Sequence, residues 1–508
     1  MVDSLQGRSS TAVDDAPPPA RRLSRTGPAP SPKGDRASGR RRIGRPWWWV
    51  TGAAAALGAA SLLLARTPTF DPLTWAVWGR ELAHGQLSTA GDGASFKPLP
   101  VLADALVATL RGDPTVVWVA VSRAAALLAL ALAFALGRRL GGLVAGGVAA
   151  VVLALSPGFA WLSGAGMAEP LEMAATLAAV LSWVNGRRGA AVAALTVLSL
   201  LRPEAWPLLA VAALVTAGAS LRRLAGAVLL GALVLVAWFV PEYAGSGDLL
   251  RTVHRAGVVT NGGPGAARVP ALALLGSVPD VLLTPMVVAA VATTVGYAVR
   301  AVRGGDAVAR GVTLTATVAT VWLAILTVMT QAHYSTGAMR YLAPFIALLA
   351  VLAGCGCGAL PRLLRHRGTG APLVRAAAAA VLAALAVTSA LVAVGAVHRT
   401  ADEELRAVGS AQRTAEALRA VVSAAGGRQV LNDCGPVTTG PYEVPLVAWT
   451  LHRHLSSVSY GRATTGTVVV VGSDPVQQDG LVARGSVERT PWTLRSTCPA
   501  VAGAGGAP

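Results

Sequence analysis

Charged side chains are scarce in this sequence. Asp, Glu, Lys and Arg make up 13% of its 508 residues, whereas hydrophobic residues make up 54%. A soluble domain carries about a quarter charged residues. The deficit excludes an ordinary soluble protein and favours a polytopic membrane protein.

Lysine is almost absent, since Lys33 and Lys97 are the only two in the chain. The formal net charge is nevertheless +18, because Arg is abundant. The Arg residues cluster in short runs between apolar segments, as they do in the cytoplasmic loops of membrane proteins. We therefore take the positive net charge as an indication of how the chain is oriented in the membrane. We expect no nucleic-acid partner.

Cysteine is also rare, with four in the chain. Cys355 and Cys357 lie inside an apolar run, where we expect them to pack as small hydrophobic residues. Cys434 and Cys498 lie in the polar C-terminal part. If that part lies outside the cytoplasm, we expect a disulfide between them.

Signatures of soluble enzymes are missing as well. The sequence has no P-loop, no GxSxG, no HExxH and no Rossmann fingerprint. Any chemistry must therefore come from other polar residues. Charged groups close to a bilayer are costly and are usually placed for a function, so they are the first candidates.

The N-terminal residues 1–46 are rich in Pro, Ser, Gly, Arg and Asp and have no apolar periodicity. We predict a disordered, basic cytoplasmic tail. The run Arg40–Arg42 leads into Trp47–Trp49, and basic residues beside aromatic ones mark the cytoplasmic interface of a spanning helix. A cleaved signal peptide is the alternative, but no clear small-x-small cleavage site precedes the next polar loop.

A transmembrane domain is predicted over residues 47–397. Its eleven apolar segments are about 47–65, 115–136, 141–157, 169–185, 189–201, 205–219, 224–241, 277–299, 311–330, 341–360 and 373–396. Arg-rich connections fall on every second loop, so the positive-inside rule puts the N terminus inside the cell. The fifth and sixth segments are short, and a re-entrant hairpin formed by both remains an alternative.

Residues 398–508 are polar and are predicted to lie outside the cytoplasm. Residues 398–425 carry charged and apolar positions at helical spacing, which predicts an amphipathic helix. Short strand-like runs follow, at Gln429–Leu431 and at Thr467–Val471, with Gly and Pro between them. We therefore predict a small extracytoplasmic α/β domain.

The first external loop, residues 67–114, carries the most informative residue. Asp71 follows the first apolar segment closely, within the stretch FDPLTWAVWGRELAHGQ. We expect this loop to lie on the membrane surface. The other carboxylates predicted for the outer face are Glu81, Asp92, Asp104, Asp113, Glu169, Glu172, Glu204, Glu242 and Asp248.

These segments together resemble the GT-C superfamily of polytopic glycosyltransferases, which use polyprenyl-phosphate sugars. Members of that superfamily place an acidic motif in the first external loop, where this chain has Asp71. The segments that carry the resemblance are FDPLTWAVWGRELAHGQ, SFKPLPVL, GMAEPLEM, LLRPEAWP and RYLAPFIALLA. The resemblance implies a helical membrane bundle, an envelope location and a polyprenyl-phosphate sugar donor.

The resemblance also implies roles for particular residues. Asp71 would be the general base that takes the proton of the acceptor hydroxyl. Glu169 would orient the acceptor or hold the partners of Asp71. Cationic donors would stabilise the leaving phosphate. The residues expected to bind substrate are Lys97, Arg202, Glu204, His333, Tyr334 and Arg340.

One departure concerns metal ions. The superfamily often has two adjacent acids, whereas Pro72 follows Asp71 here. We therefore require no cofactor, although a divalent metal remains open. The expected partners are the lipid-linked donor, membrane lipids and an envelope glycan, lipid or protein acceptor. Mannosyl and arabinosyl transfer are both considered, and the Arg and Ala bias suggests an actinobacterial source.

Other functions remain open at this stage. A transporter or flippase of lipid-linked precursors would normally show paired repeats and ionisable residues in the middle of its spans. A non-catalytic scaffold for envelope assembly would use the C-terminal domain for docking. An acid after a spanning helix is also often only a solvated interface residue, and Lys97, Arg202 and Arg340 would then be ordinary interface cations.

Overall fold

The computed structural model describes residues 45–91, 93–256, 263–282, 284–304, 306–365, 402–463, 465–472, 476, 481, 483–499 and 501. The predicted tail, the eleventh apolar segment, Asp92 and the domain boundary at 397 lie outside these residues. Residues 48–508 form one compact unit.

Eighteen helices are described, and we number them in chain order. They are α1 Arg45–Ala60, α2 Phe70–Ala83, α3 Pro98–Thr109, α4 Pro114–Gly141, α5 Leu143–Ala154, α6 Phe159–Gly164, α7 Glu169–Val184, α8 Arg188–Ser199, α9 Trp206–Ala217, α10 Leu221–Ser246, α11 Arg251–Ala256, α12 Pro270–Gly276, α13 Thr284–Val302, α14 Ala307–Gln331, α15 Ala343–Arg365, α16 402–424, α17 Gly427–Asp433 and α18 Val444–Leu451.

The apolar segments predicted as spans coincide with helices wherever the structure describes them. Five of the helices are long and apolar enough to cross a membrane, namely Pro114–Gly141, Leu221–Ser246, Thr284–Val302, Ala307–Gln331 and Met339–Ala359. Helices α5, α8 and α9 have 12 residues each. A helix of that length reaches only about 18 Å, against a hydrocarbon core of about 30 Å. The chain is a multi-pass membrane protein, and the number of crossings stays a prediction.

Small residues allow the central helices to pack closely. A Cβ atom on Gly137 would lie 2.8 Å from the carbonyl oxygen of Ala145, and one on Gly141 would lie 3.2 Å from Cα of Cys355. Helices α4, α5 and α15 therefore meet backbone to backbone, as is common between membrane helices. Cys355 is 1% exposed and packs here as a small hydrophobic residue.

The first external loop is not an open loop on a surface. It contains α2 and α3, and the side chains of Trp75 and Trp78 on α2 are fully buried. Their indole N–H groups donate to the carbonyl oxygens of Ser95 and Ser88, at 3.2 and 3.1 Å. Burying two Trp rings ties α2 to the following chain, because each ring brings a large apolar area and one hydrogen bond.

The C-terminal domain is a small α/β domain, as the sequence predicts. Its strands are β1 Val437–Thr439, β2 Val458–Tyr460, β3 Thr467–Val471, β4 Gly485–Arg489 and β5 Trp492–Ser496. They form one sheet in the order β2-β1-β3-β5-β4, in which β1 is parallel to β2 and β3 while β5 is antiparallel to β3 and β4. The disulfide between Cys434 and Cys498 joins the end of α17 to the segment after β5.

One strand prediction in this domain was wrong. Gln429–Leu431 lies in the helix α17, not in a strand. The preceding Gly426 has φ +97°, a left-handed conformation that suits glycine and lets the chain turn into the new helix. Thr467–Val471 does form a strand, and residues 402–424 form the predicted amphipathic helix.

The C-terminal domain packs directly on α2. The carboxylate of Glu81 on α2 accepts hydrogen bonds from the backbone N–H groups of Ser88 and Leu455, at 2.9 and 3.1 Å. Arg80 donates to the carbonyl oxygen of Arg453 at 2.7 Å. Burial raises the pKa of Glu81, against the opposing effect of these hydrogen bonds. The helix that carries Asp71 is therefore held by the C-terminal domain.

Candidate active site

A cavity of about 280 Å³ lies among α2, α10, α11 and the segments that precede α3, α9 and α15. Four carboxylates and three cations are among its polar residues. The lining residues are Asp71, Ser95, Lys97, Glu169, Leu201, Arg202, Pro203, Glu204, Trp206, Trp238, Phe239, Glu242, Leu249, Thr252, Val253, Met329, Tyr334, Ser335, Arg340 and Tyr341.

Asp71 lies in the first turn of α2 and is paired with Arg340. Its Oδ2 atom is 2.6 Å from Nη1 of Arg340, and the two side chains are 15% and 31% exposed. An acid in the first turn is favoured by the helix dipole. Within the described chain, no hydrogen bond reaches the Oδ1 atom of Asp71. One carboxylate oxygen is therefore held by a guanidinium, while the other remains available inside the cavity.

A buried ion cluster lies beside this pair. Oε1 of Glu172 is 2.8 Å from Nζ of Lys97 and 2.8 Å from Nε of Arg202. Oε1 of Glu169 is 2.8 Å from Nη2 of Arg202. These side chains are at most 8% exposed. Breaking a buried pair leaves an uncompensated charge, so the cluster fixes the relative positions of α3, α7 and the start of α9.

The cations of the cavity keep unused donors despite these ion pairs. A guanidinium has five N–H donors, and an ammonium has three. Arg202 uses Nε and Nη2 on the two glutamates, and Lys97 uses one proton on Glu172. The guanidinium of Arg202 also lies over the ring of Tyr341, 4.4 Å from its centre. An anion in the cavity would therefore find N–H groups without breaking the cluster.

The remaining acids of the cavity differ in their partners. Glu242, near the end of α10, accepts from Arg251 at 3.1 Å and from the hydroxyl of Thr252. Glu204 is 5% exposed, and its Oε2 atom is buried without a hydrogen-bond partner in the part of the chain that the structure describes.

One wall of the cavity is apolar and aromatic. Trp206 at the start of α9 contacts the rings of Trp238 and Phe239 on α10 edge to face, with centres 6.0 and 6.1 Å apart. The indole N–H groups of Trp206 and Trp238 donate to the carbonyl oxygen of Ser199, at 3.2 and 2.8 Å. Most of α10 is exposed, because only 11% of its most apolar 18-residue stretch is buried inside the protein. The cavity therefore has an apolar side next to an exposed apolar helix surface.

The structure brings together most of the residues chosen from the sequence, but not all of them. Asp71, Glu169, Lys97, Arg202, Glu204, Tyr334 and Arg340 line the cavity, and Tyr334 is 55% exposed. His333 does not line it. It follows the last turn of α14 with φ +57° and is exposed.

Sequence reasoning missed several residues of the site. Glu172 was noted only as an outer carboxylate, yet it joins Lys97 to Arg202. Its spacing of three from Glu169 puts both acids on one face of a helix, which was a usable signal. The ring of Tyr341 and the residues of α10 and α11 gave no local signal.

Metal ligation was left open by the sequence. Over the described ranges, no three His, Cys, Asp or Glu side chains come together as a group that could hold a metal ion. Asp71 is paired with Arg340, and Glu169 with Arg202. The carboxylates closest to the proposed base are therefore compensated by cations of the chain itself.

Comparison with known proteins identifies the fold. No family model matches the chain, and no curated protein matches it. ArnT from Cupriavidus metallidurans bound to undecaprenyl phosphate matches with a TM-score of 0.51 and 14% identity, covering 88% of this chain and 97% of ArnT. In the apo state, ArnT matches with a TM-score of 0.54 and 15% identity, covering 90% and 99%.

The chain has the fold of ArnT. The fold predicted from the sequence, a helical membrane bundle with a small C-terminal α/β domain, is therefore confirmed. The archaeal oligosaccharyltransferase AglB from Archaeoglobus fulgidus, in complex with an inhibitory peptide and a dolichol-phosphate, matches more weakly, with a TM-score of 0.46, 12% identity and coverage of 84% and 69%. That second likeness carries no further argument.

Proposed function

We propose that the protein is a membrane glycosyltransferase. It would transfer a sugar from a polyprenyl-phosphate donor to a cell-envelope acceptor at the outer leaflet. The observation that carries this proposal is the convergence of Asp71, Lys97, Arg202 and Arg340 on one cavity. The cavity occurs in a chain with the fold of ArnT, a protein whose structure has been solved with undecaprenyl phosphate bound.

The residue types suit the reaction. An acceptor hydroxyl loses its proton to Oδ1 of Asp71 as its oxygen forms a bond to the anomeric carbon of the donor sugar. The bond between that carbon and the phosphate oxygen breaks, and the polyprenyl phosphate leaves as an anion. The ion pair with Arg340 holds Oδ2 of Asp71, which leaves Oδ1 available to accept the proton of the acceptor hydroxyl.

The leaving phosphate needs cationic donors. Lys97, Arg202 and Arg340 line the cavity and keep N–H groups that the ion cluster does not use. Fixed donors in a site that excludes water stabilise the charge that develops in the transition state. We therefore propose that these three cations bind the phosphate of the donor.

The prenyl chain needs an apolar path from the side. Trp206, Trp238 and Phe239 form such a wall between the cavity and the outward face of α10. We assign this wall to the first isoprene units of the donor. The rest of the prenyl chain would lie in the bilayer against α10.

The acceptor would approach from the C-terminal domain. Tyr442, in the turn between β1 and α18, is 53% exposed, and its ring centre is 6.5 Å from that of Phe70. Phe70 directly precedes Asp71 in the chain. The turn therefore presents an aromatic surface beside the proposed base. We also propose that the C-terminal domain lies on the outer side of the membrane, with the N terminus inside.

The test uses the full-length protein in proteoliposomes. Undecaprenyl-phosphate mannose, glucose and arabinose serve as donors, an envelope extract supplies the acceptor, and release of undecaprenyl phosphate is the readout. Asp71→Asn is expected to lower the rate of release by about 10²- to 10⁴-fold, because a general base usually accelerates a reaction by that factor. The matched control is Asp402→Asn, because Asp402 is an exposed aspartate that is also paired with an arginine, Arg406, at 3.8 Å.

The outcomes separate the competing functions. A normal rate in Asp71→Asn would remove the role of base from Asp71. If the wild-type protein neither consumes any of the three donors nor binds undecaprenyl phosphate, the glycosyltransferase proposal fails. A flippase would move the donor across the bilayer without consuming it, and a scaffold would tolerate the loss of Asp71.

A further inference from the structure

Glu204 is the one acid of the cavity wall that lacks a direct partner among the described residues. Its carboxylate forms no ion pair and accepts no hydrogen bond from another residue, and its Oε2 atom is fully buried. Glu169, by contrast, contacts Arg202, while Asp71 contacts Arg340 and Glu242 contacts Arg251. Glu204 therefore differs from these three acids in forming no ion pair among the described residues, although Oε2 of Glu169 is also buried without a hydrogen bond.

Such isolation is costly. A buried polar group without a hydrogen bond destabilises the folded protein, and a charged group does so more strongly. Buried polar side chains in native proteins are nearly always satisfied. Oε2 of Glu204 is fully buried, but the side chain lines the cavity, so a molecule that occupies that space contacts the residue. A ligand that donates a hydrogen bond to the carboxylate would offset the destabilisation.

The ligand must be a neutral donor of hydrogen bonds. A phosphate carries only acceptor oxygens and negative charge, so the carboxylate of Glu204 would repel it. The cations Lys97, Arg202 and Arg340 suit the phosphate instead. Sugar hydroxyls donate hydrogen bonds, which a carboxylate oxygen accepts. The ring of Trp206, two residues after Glu204, offers an apolar face next to that position.

We propose that Glu204 binds the hydroxyl groups of the sugar carried by the donor lipid. The ligand class is a neutral pyranose or furanose with at least two free hydroxyls. This inference rests on the proposed function, and it adds the subsite that recognises the sugar. Within the cavity, Glu204 then selects the sugar, the three cations hold the phosphate, and Asp71 acts on the acceptor.

The first test leaves the protein unmutated. Full-length protein in nanodiscs is treated with dicyclohexylcarbodiimide, which reacts with carboxyl groups in apolar surroundings, and labelling of Glu204 is read by peptide mass spectrometry. At ten times its Kd, undecaprenyl-phosphate mannose, glucose or arabinose is expected to lower the labelling about tenfold, since about one site in eleven is then free. Undecaprenyl phosphate without a sugar is expected to leave the labelling unchanged.

The second test is kinetic. Glu204→Gln is expected to raise KM for the accepted donor about 10- to 100-fold, the worth of hydrogen bonds to a charged group. Its affinity for undecaprenyl phosphate, measured by native mass spectrometry, should not change. Glu403→Gln is the control, because Glu403 is exposed on α16.

Each result bears on a definite claim. Equal labelling of Glu204 with and without the sugar would overturn the inference, as would an unchanged KM in Glu204→Gln, even if donor turnover by the wild-type protein supports the glycosyltransferase. Should the wild-type protein bind neither the donors nor undecaprenyl phosphate, the proposed function itself fails. If Glu204→Gln does not fold, the labelling of the wild-type protein decides.

Discussion

Removal of the charge on Glu172 gives the sharpest test of the ion cluster. Its Oε1 atom accepts from both Lys97 and Arg202 at 2.8 Å, and its side chain is fully buried. In Glu172→Gln, Arg202 keeps its ion pair with Glu169, whereas Lys97 loses the ion pair that it forms within the described residues. Loss of one partner of a buried pair costs about 3–5 kcal/mol, so we expect a loss of that size in the free energy of unfolding.

A second substitution separates charge from packing. Lys97→Met removes the ammonium but keeps an apolar side chain of similar length. In the background of Glu172→Gln it also removes the uncompensated charge, leaving Arg202 paired with Glu169. We therefore expect the double variant to be more stable than Glu172→Gln alone. The coupling energy between the two sites should be about 1–3 kcal/mol.

The assay is unfolding of the purified protein in mixed micelles titrated with sodium dodecyl sulfate, followed by circular dichroism. Glu403→Gln, on the exposed face of α16, is the control and should change the free energy of unfolding by less than about 0.5 kcal/mol. If the effects of Glu172→Gln and Lys97→Met add to within about 0.5 kcal/mol, the two residues are not coupled. The electrostatic account of the cluster would then be refuted.

Two further predictions concern the C-terminal domain. Burial raises the pKa of Glu81 above its ordinary value of 4.5, so the stability that this residue contributes is full below that value and falls as the pH rises through the raised pKa. Unfolding between pH 4 and 8 should therefore depend less steeply on pH in Glu81→Gln, and equal slopes in both proteins would contradict this. A membrane-impermeant maleimide should label Ser410→Cys, on the exposed surface of α16, in intact cells. Labelling only after lysis would reverse the proposed orientation.

The helical part of the fold was readable from the sequence because each spanning segment is a local feature. Long apolar runs become helices regardless of what they contact, and short Arg runs mark one side of the membrane. The helices α2 and α3 inside the first external loop were missed. Their apolar residues pack against the C-terminal domain and α4. Contacts between segments that are distant in the chain cannot be recognised from the local hydropathy pattern. Trp75 and Trp78 were visible in the sequence, but their burial was not.

The site was partly predictable for a different reason. Asp71 and Arg340 were each chosen for a position beside an apolar segment, yet they are 269 residues apart in the chain. Nothing in the sequence pairs Arg340 with Asp71 in preference to Lys97 or Arg202. The pairing follows from how the helices pack. His333 is exposed after the end of α14 and does not line the cavity, so its role stays a prediction.

Charge balance connects the ion cluster with Glu204. Asp71, Glu169 and Glu172 form ion pairs with Lys97, Arg202 and Arg340, whereas Glu204 forms no ion pair among the described residues. The unused N–H groups of these cations can donate to an anion without opening the cluster, which is why we propose them for the phosphate of the donor. A sugar hydroxyl brings no further negative charge to Glu204. We therefore expect the sugar to lie at Glu204 and the phosphate at the paired cations.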